Sequence, residues 1–238
     1  MTFEISPYGA NHILIQFEQI VDLSVNAQVH AMKIALDQSA WKGVVQVIPA
    51  YCSVMVEFDP KMVKQADLLR KIQKLSVDPE EEEQSLLYRI PVCYDGDFAM
   101  DMEEVNHITS LSKEDIIAQH CQSIYHTFMI GFLPGFPYLG KLEESLQVPR
   151  RSKARTMVPR GSVGLAGSQT GVYPSDAPGG WQIIGRTPIP MFDRHWDKPA
   201  LLGEGDRVQF FSINSHDFHL IEKDIASGQF NYKSLHVW

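Results

Sequence analysis

Residues 131–190 hold 10 of the chain's 16 glycines and 8 of its 14 prolines. Proline removes an amide donor and fixes φ, and glycine inside a helix costs about 1 kcal/mol relative to alanine. A long helix therefore cannot run through this stretch. Short strands joined by tight turns remain, and these build a barrel or a sandwich. One helix precedes the stretch. Ser112 reads as its N-cap, Glu114 and Asp115 occupy the first turn, and Ile116, Ile117, His120 and Ile124 follow.

The first 85 residues follow a different rhythm. His12–Phe17 is strand-like, and Ser24 reads as the cap of a helix with Val25, Val29, Met32, Ala35 and Leu36 on one face. Trp41-Lys42-Gly43 breaks that helix, and Val44–Ile48 and Ser53–Phe58 are strands around a turn at Pro49-Ala50-Tyr51. Asp59-Pro60 reads as the start of a second helix, striped by Met62, Ala66, Leu69, Ile72 and Leu75. This β-α-β-β-α order predicts a ferredoxin-like α/β domain over residues 1–85. Ser76–Ser85 contains Asp78-Pro79 and then Glu80–Glu83, whose like charges repel, and it reads as a linker. Leu86–Val92 is a strand at the boundary, and residues 86–238 form the second domain.

Charge and cysteine usage exclude several classes. A net charge of −8 argues against a general nucleic-acid binder. No apolar run suits a leader or a membrane span, and three widely spaced cysteines, Cys52, Cys93 and Cys121, fit reduced thiols. The expected location is the cytoplasm. No Cys/His set has metal-site spacing, so no metal is expected. His216 and His219 are at most a weak metal signal and read as polar positions on a strand.

Four pieces of the second domain carry chemical information. Gly131-Phe132-Leu133-Pro134-Gly135-Phe136-Pro137-Tyr138-Leu139 interleaves aromatics with residues that fix or free the backbone, which predicts a rigid apolar ledge of Phe132, Phe136 and Tyr138. Between Leu146 and Ser175 there is no Asp or Glu, so Arg150, Arg151, Lys153, Arg155 and Arg160 form a positive patch. Gly161–Pro174 has a glycine every third or fourth residue, which permits close backbone approach. Ala177-Pro178-Gly179-Gly180-Trp181-Gln182-Ile183-Ile184-Gly185-Arg186-Thr187-Pro188 is followed by Met191-Phe192-Asp193.

In this order, these motifs resemble the family that contains the B subunit of 5-oxoprolinase, the KipI-type histidine kinase inhibitors and the proteins called allophanate hydrolase subunit 1. The resemblance extends to His120 and Tyr125, to Tyr8-Gly9 and to Pro49-Ala50-Tyr51, and so covers nearly the whole chain. It implies an α+β chain whose ferredoxin-like domain is followed by a cyclophilin-like β-barrel. It also implies a subunit of an ATP-dependent 5-oxoprolinase acting with companion subunits C and A, or alternatively a non-catalytic inhibitor of a histidine kinase. Arg160 departs from the pattern, where a small residue is expected before Gly161. A prolyl isomerase is suggested only by the implied fold, and fold alone does not fix function.

Opening a lactam through a phosphorylated amide needs cations, hydrogen-bond donors and an acid or base. Arg150, Arg155 and Arg186 offer forked donors, Gln169, Thr170 and Tyr173 offer polar contacts, Trp181 offers a wall, and His120 is the candidate base. Arg150, Arg155 and Arg186 are expected to converge with His120 and Gln169 on one pocket of the barrel. By residue type alone, a histidine on an apolar helix face is more often a satisfied core group. Each arginine is more often a solvated or structural ion-pair residue. The sequence has no GxxxxGK[ST] loop and no GxGxxG between a strand and a helix, so ATP is expected to bind only in the complex or on a partner subunit.

Overall fold

The computed structural model describes residues 2–77 and 85–237. The chain divides into two compact units, Met1–Gln84 and Ser85–Trp238. The acidic run expected to act as a linker, Glu80–Glu83, lies outside the described residues.

The first unit contains β1 (Glu4–Tyr8), β2 (His12–Gln16), α1 (Leu23–Ser39), β3 (Val44–Pro49), β4 (Ser53–Phe58) and α2 (Gln65–Gln73). Its sheet runs β1-β2-β4-β3 and is antiparallel throughout. Because β4 lies between β2 and β3, the β2-α1-β3 unit is split as in a ferredoxin-like fold. The sequence pattern missed β1, which carries Pro7 and therefore suits an edge. Ile13, Ile15, Val54, Val56 and Phe58 from the sheet meet Val25, Val29, Met32 and Leu36 from α1 and Leu68 and Ile72 from α2. The cap of α1 is Asp22, whose Oδ1 accepts the Ser24 amide at 2.9 Å, so the helix begins before Ser24. Asp59 does not start α2. Its Oδ1 accepts the Lys61 amide at 2.8 Å in a local turn, which leaves Met62 exposed.

The second unit begins with β5 (Leu87–Cys93), α3 (Met102–Thr109), α4 (Lys113–Gln122), β6 (Ile124–Ile130), β7 (Pro137–Gly140) and β8 (Arg155–Val158). It continues through β9 (Ser162–Ala166), β10 (Gln169–Val172), β11 (Ala177–Gly179), β12 (Gln182–Arg186), β13 (Arg207–Ile213), α5 (Ser215–Ala226) and β14 (His236–Val237). The strands run β12-β9-β10-β7-β6-β13-β5, and β12 pairs with β5 to close a seven-stranded barrel. The β13–β5 pair is parallel, so the barrel is mixed. β14 adds to β5, and β8 and β11 form a separate ribbon. The architecture is α+β with a closed barrel, as the resemblance implied.

Ser112 caps α4 as expected, its Oγ accepting the Asp115 amide at 3.1 Å. His216 and His219 lie on α5 and not on a strand. Asn214 caps that helix by accepting the Asp217 amide at 2.9 Å, and His219 Nδ1 meets Glu222 Oε2 at 3.1 Å one turn on. A short cap-and-turn signal at Asn214–Asp217 outweighs the apparent alternation of polar residues.

All seven barrel strands contribute to one apolar cluster, including Val92, Tyr125, Leu139, Leu165, Val172, Ile184 and Phe210, which is therefore the barrel interior. Met102 and Val105 of α3 and Ile116 of α4 join it. A second cluster of Phe136, Val158, Ala166, Tyr173, Ala177, Trp181 and Ile183 lies on the outer wall. Gly164 and Gly171 are cross-strand partners on that wall. A Cβ on Gly171 would sit 2.8 Å from the Pro137 carbonyl oxygen and 3.0 Å from the Trp181 ring. A Cβ on Gly164 would sit 3.1 Å from Trp181 Cβ. The paired glycines make a side-chain-free shelf on which the aromatic residues rest.

Candidate functional site

His120 is fully buried near the C-terminal end of α4. Its Nε2 lies 3.0 Å from Thr170 Oγ1, and its Nδ1 lies 2.7 Å from the Tyr94 hydroxyl. The Thr170 hydroxyl donates to the Gly164 carbonyl at 3.1 Å. Its single proton is thus used, so Thr170 accepts from His120 Nε2–H, and Nδ1 accepts from Tyr94. The ring stacks on Phe210 with centroids 4.7 Å apart, and Tyr125 donates to the His120 carbonyl at 3.0 Å. Burial pushes the His120 pKa down to about 3, so the ring is neutral near pH 7. Burial likewise raises the Tyr94 phenol, which keeps its proton for His120. His120 therefore fastens α4 to the barrel interior. With both ring nitrogens engaged, it has no free lone pair with which to take a proton from a ligand.

Strand alternation separates the remaining residues. Thr170 faces inward beside Leu165 and Leu139, to which it pairs. Gln169 and Gly171 face outward. The inferred convergence of His120 with Gln169, Arg150 and Arg155 does not occur, because the first lies inside the barrel and the others belong to its outer side.

The outer side is built on the aromatic cluster. Phe136 makes edge contacts with Tyr173 at 5.2 Å and with Trp181 at 5.4 Å, and packs on Tyr138 at 4.8 Å. Phe136, Tyr173 and Trp181 are buried, and Tyr138 is partly buried. Gly179 lies directly under the Tyr173 ring, where any Cβ would collide with the phenol oxygen. Phe132 is 63% exposed and adopts φ 68°. That left-handed backbone is uncommon for a residue with a side chain and costs about 1–2 kcal/mol. The loop bearing Phe132 is closed by Gly131 N–H to Phe136 O at 3.1 Å and by Phe136 N–H to Leu133 O at 3.0 Å. Of the expected ledge, Phe132 projects, Tyr138 borders the surface and Phe136 is the floor.

The arginines divide into three environments. Arg155 grips Asp101 with both terminal nitrogens, at 2.8 and 2.6 Å, and Arg151 Nη1 adds a contact at 2.5 Å. Asp101 is 3% exposed and was not singled out in the sequence. Arg186 is engaged elsewhere, its Nε donating to the Arg160 carbonyl at 2.8 Å. Arg160 in turn uses its amide to bind Asp176 Oδ1 at 2.7 Å. Arg150 is exposed and makes no ion pair among the described residues. Its charge reaches the Tyr138 and Tyr173 hydroxyls, where it partly offsets the rise that burial causes in both phenols.

Clefts of about 730 and 710 Å³ both lie in the first unit, and none of the sequence-predicted site residues lines them. Among the described residues, no group of three or more His, Cys, Asp or Glu side chains could hold a metal ion, and no helix is long and apolar enough to cross a membrane.

Residues 3–202 match the model of the carboxyltransferase domain, subdomain C and D. The chain belongs to this family. Among carboxyltransferase subdomain C and D relatives, one from Bacillus subtilis, named as the B subunit of 5-oxoprolinase, is 36% identical, covering 93% of this chain and 98% of its own. Another of that name from Escherichia coli O157:H7 is 36% identical over 85% of this chain and 92% of its own. The solved structure of TTHA0988 superposes with a TM-score of 0.76 at 34% identity and covers 86% of this chain. This chain spans only 40% of TTHA0988, so the matched fold also occurs within a longer polypeptide. The Kluyveromyces lactis urea amidolyase, at 19% identity and a TM-score of 0.81 over 96% of this chain, shares the fold.

Proposed function

We propose that this chain is one subunit of an ATP-dependent 5-oxoprolinase that hydrolyses 5-oxo-L-proline to L-glutamate, with companion subunits C and A. The observation that carries this reading is the 36% identity to the Bacillus subtilis relative over nearly the full length of both chains. In the overall reaction the lactam C–N bond breaks, two waters are consumed, and ATP becomes ADP and phosphate. Transient phosphorylation of the amide oxygen makes the ring carbonyl a better electrophile. ATP is held in the complex or by a partner subunit, since this sequence has no phosphate-cradling loop.

The role assigned to this chain is recognition. Arg150, beside Tyr138 and Tyr173, presents a planar cation to an anion, either the substrate carboxylate or the phosphorylated amide. The neutral, enclosed His120 holds the scaffold, and the acid–base groups come from companion subunits. Mixing the purified chain with its companions, ATP and 5-oxoproline is expected to yield glutamate and ADP. The chain alone is expected to yield neither, and robust turnover by the single chain would overturn the assignment.

Phe132 favours a second reading, since an aromatic side chain 63% exposed on a constrained loop suits protein docking. In that reading the chain inhibits a histidine kinase without chemistry of its own. Loss of kinase autophosphorylation on adding the chain, together with no effect on 5-oxoproline turnover, would select it.

A further inference from the structure

We propose that Asp101 is the positioning residue of this ledge, sorting three neighbouring arginines so that Arg150 alone remains available to an anion. The inference rests on the proposed reading of Arg150 as the anion-binding cation.

Asp101 stands at the N-terminal end of α3, and its backbone N–H donates to the Ile183 carbonyl at 2.8 Å. Its Oδ2 accepts the Ile183 amide at 2.7 Å and Arg155 Nη1 at 2.8 Å. Its Oδ1 accepts Arg155 Nη2 at 2.6 Å and Arg151 Nη1 at 2.5 Å. A carboxylate has about four lone-pair sites, and these four bonds fill them. No acceptor capacity is left for a third guanidinium. Arg151 is also fastened through its backbone, its N–H donating to the Gly180 carbonyl at 2.7 Å. Arg155 is paired in register with Gly179 across the β8–β11 ribbon. The stretch from Arg151 to Arg155 is thus pinned at both ends, and Arg150 is the residue immediately outside the pin.

The charges follow the same division. Two of the three arginines share one carboxylate that is nearly buried, with a side chain only 2% exposed. Arg155 spends both terminal nitrogens on it and Arg151 spends Nη1, while Arg150 makes no ion pair among the described residues. Without Asp101, Arg151 and Arg155 would lose their shared acceptor and compete with Arg150 for any incoming anion, while the segment carrying Arg150 would lose its anchor to β12.

The test has two arms. In the first, the full-length chain is treated with phenylglyoxal and modification is read residue by residue by mass spectrometry. Arg150 should react about tenfold faster than Arg155 in the wild type, and Asp101→Asn should bring Arg151 and Arg155 up to the Arg150 rate. Equal rates in the wild type, or rates unchanged by Asp101→Asn, would overturn the proposal. The second arm uses the reconstituted complex. Asp101→Asn should raise KM for 5-oxoproline about tenfold with kcat within about threefold, and the Asp101→Asn/Arg150→Gln double variant should be no worse than Arg150→Gln alone. Multiplying effects would mark Asp101 as merely structural and refute the positioning role. If Asp101→Asn does not fold, Arg151→Gln keeps the Asp101–Arg155 pair and should still raise KM, and an unchanged KM counts against the proposal. A wild-type complex inactive on 5-oxoproline refutes the functional reading, while the modification rates still decide how the arginines are sorted.

Discussion

Acidification should expose the role of His120 directly. Its folded-state pKa is about 3 against an ordinary value of 6.5, so the unfolded chain takes up the proton first. The stabilisation this group provides is complete above about pH 6.5 and is lost as the pH falls toward 3. Linkage between these two values gives a loss of about 2 kcal/mol between pH 7.5 and pH 5.0 from this one group. His120→Phe removes the titration and keeps an aromatic ring against Phe210. It also leaves the Tyr94 hydroxyl without its nitrogen acceptor, which costs about 1–3 kcal/mol at pH 7.5. The variant should therefore start less stable but fall more slowly, and the two proteins should converge near pH 5. Urea unfolding at both pH values measures this, with hydrogen exchange of the β9 and β10 amides reporting the second unit. Equal pH slopes for the two proteins would refute the buried-neutral assignment. Loss of about 10²-fold or more in turnover by a folded His120→Phe complex would restore a general-base role.

Two further outcomes follow from the outer wall. Gly171→Ala places a Cβ 2.8 Å from the Pro137 carbonyl oxygen and 3.0 Å from the Trp181 ring, and should cost about 1–3 kcal/mol by thermal unfolding, with altered Trp fluorescence; an unchanged melting temperature would show that the aromatic shelf is loosely packed. Phe132→Ala should leave stability within about 0.5 kcal/mol, yet weaken association with companion subunits about tenfold in sedimentation or titration measurements. Retained affinity would remove Phe132 from the docking surface.

The barrel was legible because glycine and proline density is a local property. Its consequence, short strands, does not depend on which strand pairs with which. The face of α1 was legible from its periodicity, whereas the stripe expected for α2 was misplaced, since Ala66 is exposed and Leu68 is fully buried beside Ile72, and neither helix start was legible. Asp22 and Asp59 each form a local side-chain turn, and only the first of these turns opens a helix. β1 was missed because Ile5 is its one aliphatic position and Pro7 interrupts it. His120 was found by residue type, but the role it was given depends on partners at Tyr94 and Thr170, 26 and 50 residues away, which residue type cannot reveal.

Asp101 was missed for a related reason. It sits in Met100-Asp101-Met102-Glu103-Glu104, which reads as an ordinary acidic helix start, whereas its arginine partners lie 50 and 54 residues downstream. One signal did point toward it. Five cations between Leu146 and Ser175 have no local carboxylate, so any of them held in place by an ion pair must find its counter-ion elsewhere in the chain. The motif residues then divide by what the fold asks of them. Gly164, Gly171 and Gly179 are consumed in seating Trp181, Phe136 and Tyr173. Arg155 and Arg151 Nη1 are held by Asp101, and Arg186 Nε by the Arg160 carbonyl. Arg150, without an ion pair among the described residues, and Phe132, 63% exposed at a strained φ, are not used up by the fold in this way. A side chain left over after the fold has taken its share is where recognition chemistry is available. Substitution of these two side chains should therefore change binding without changing the melting temperature.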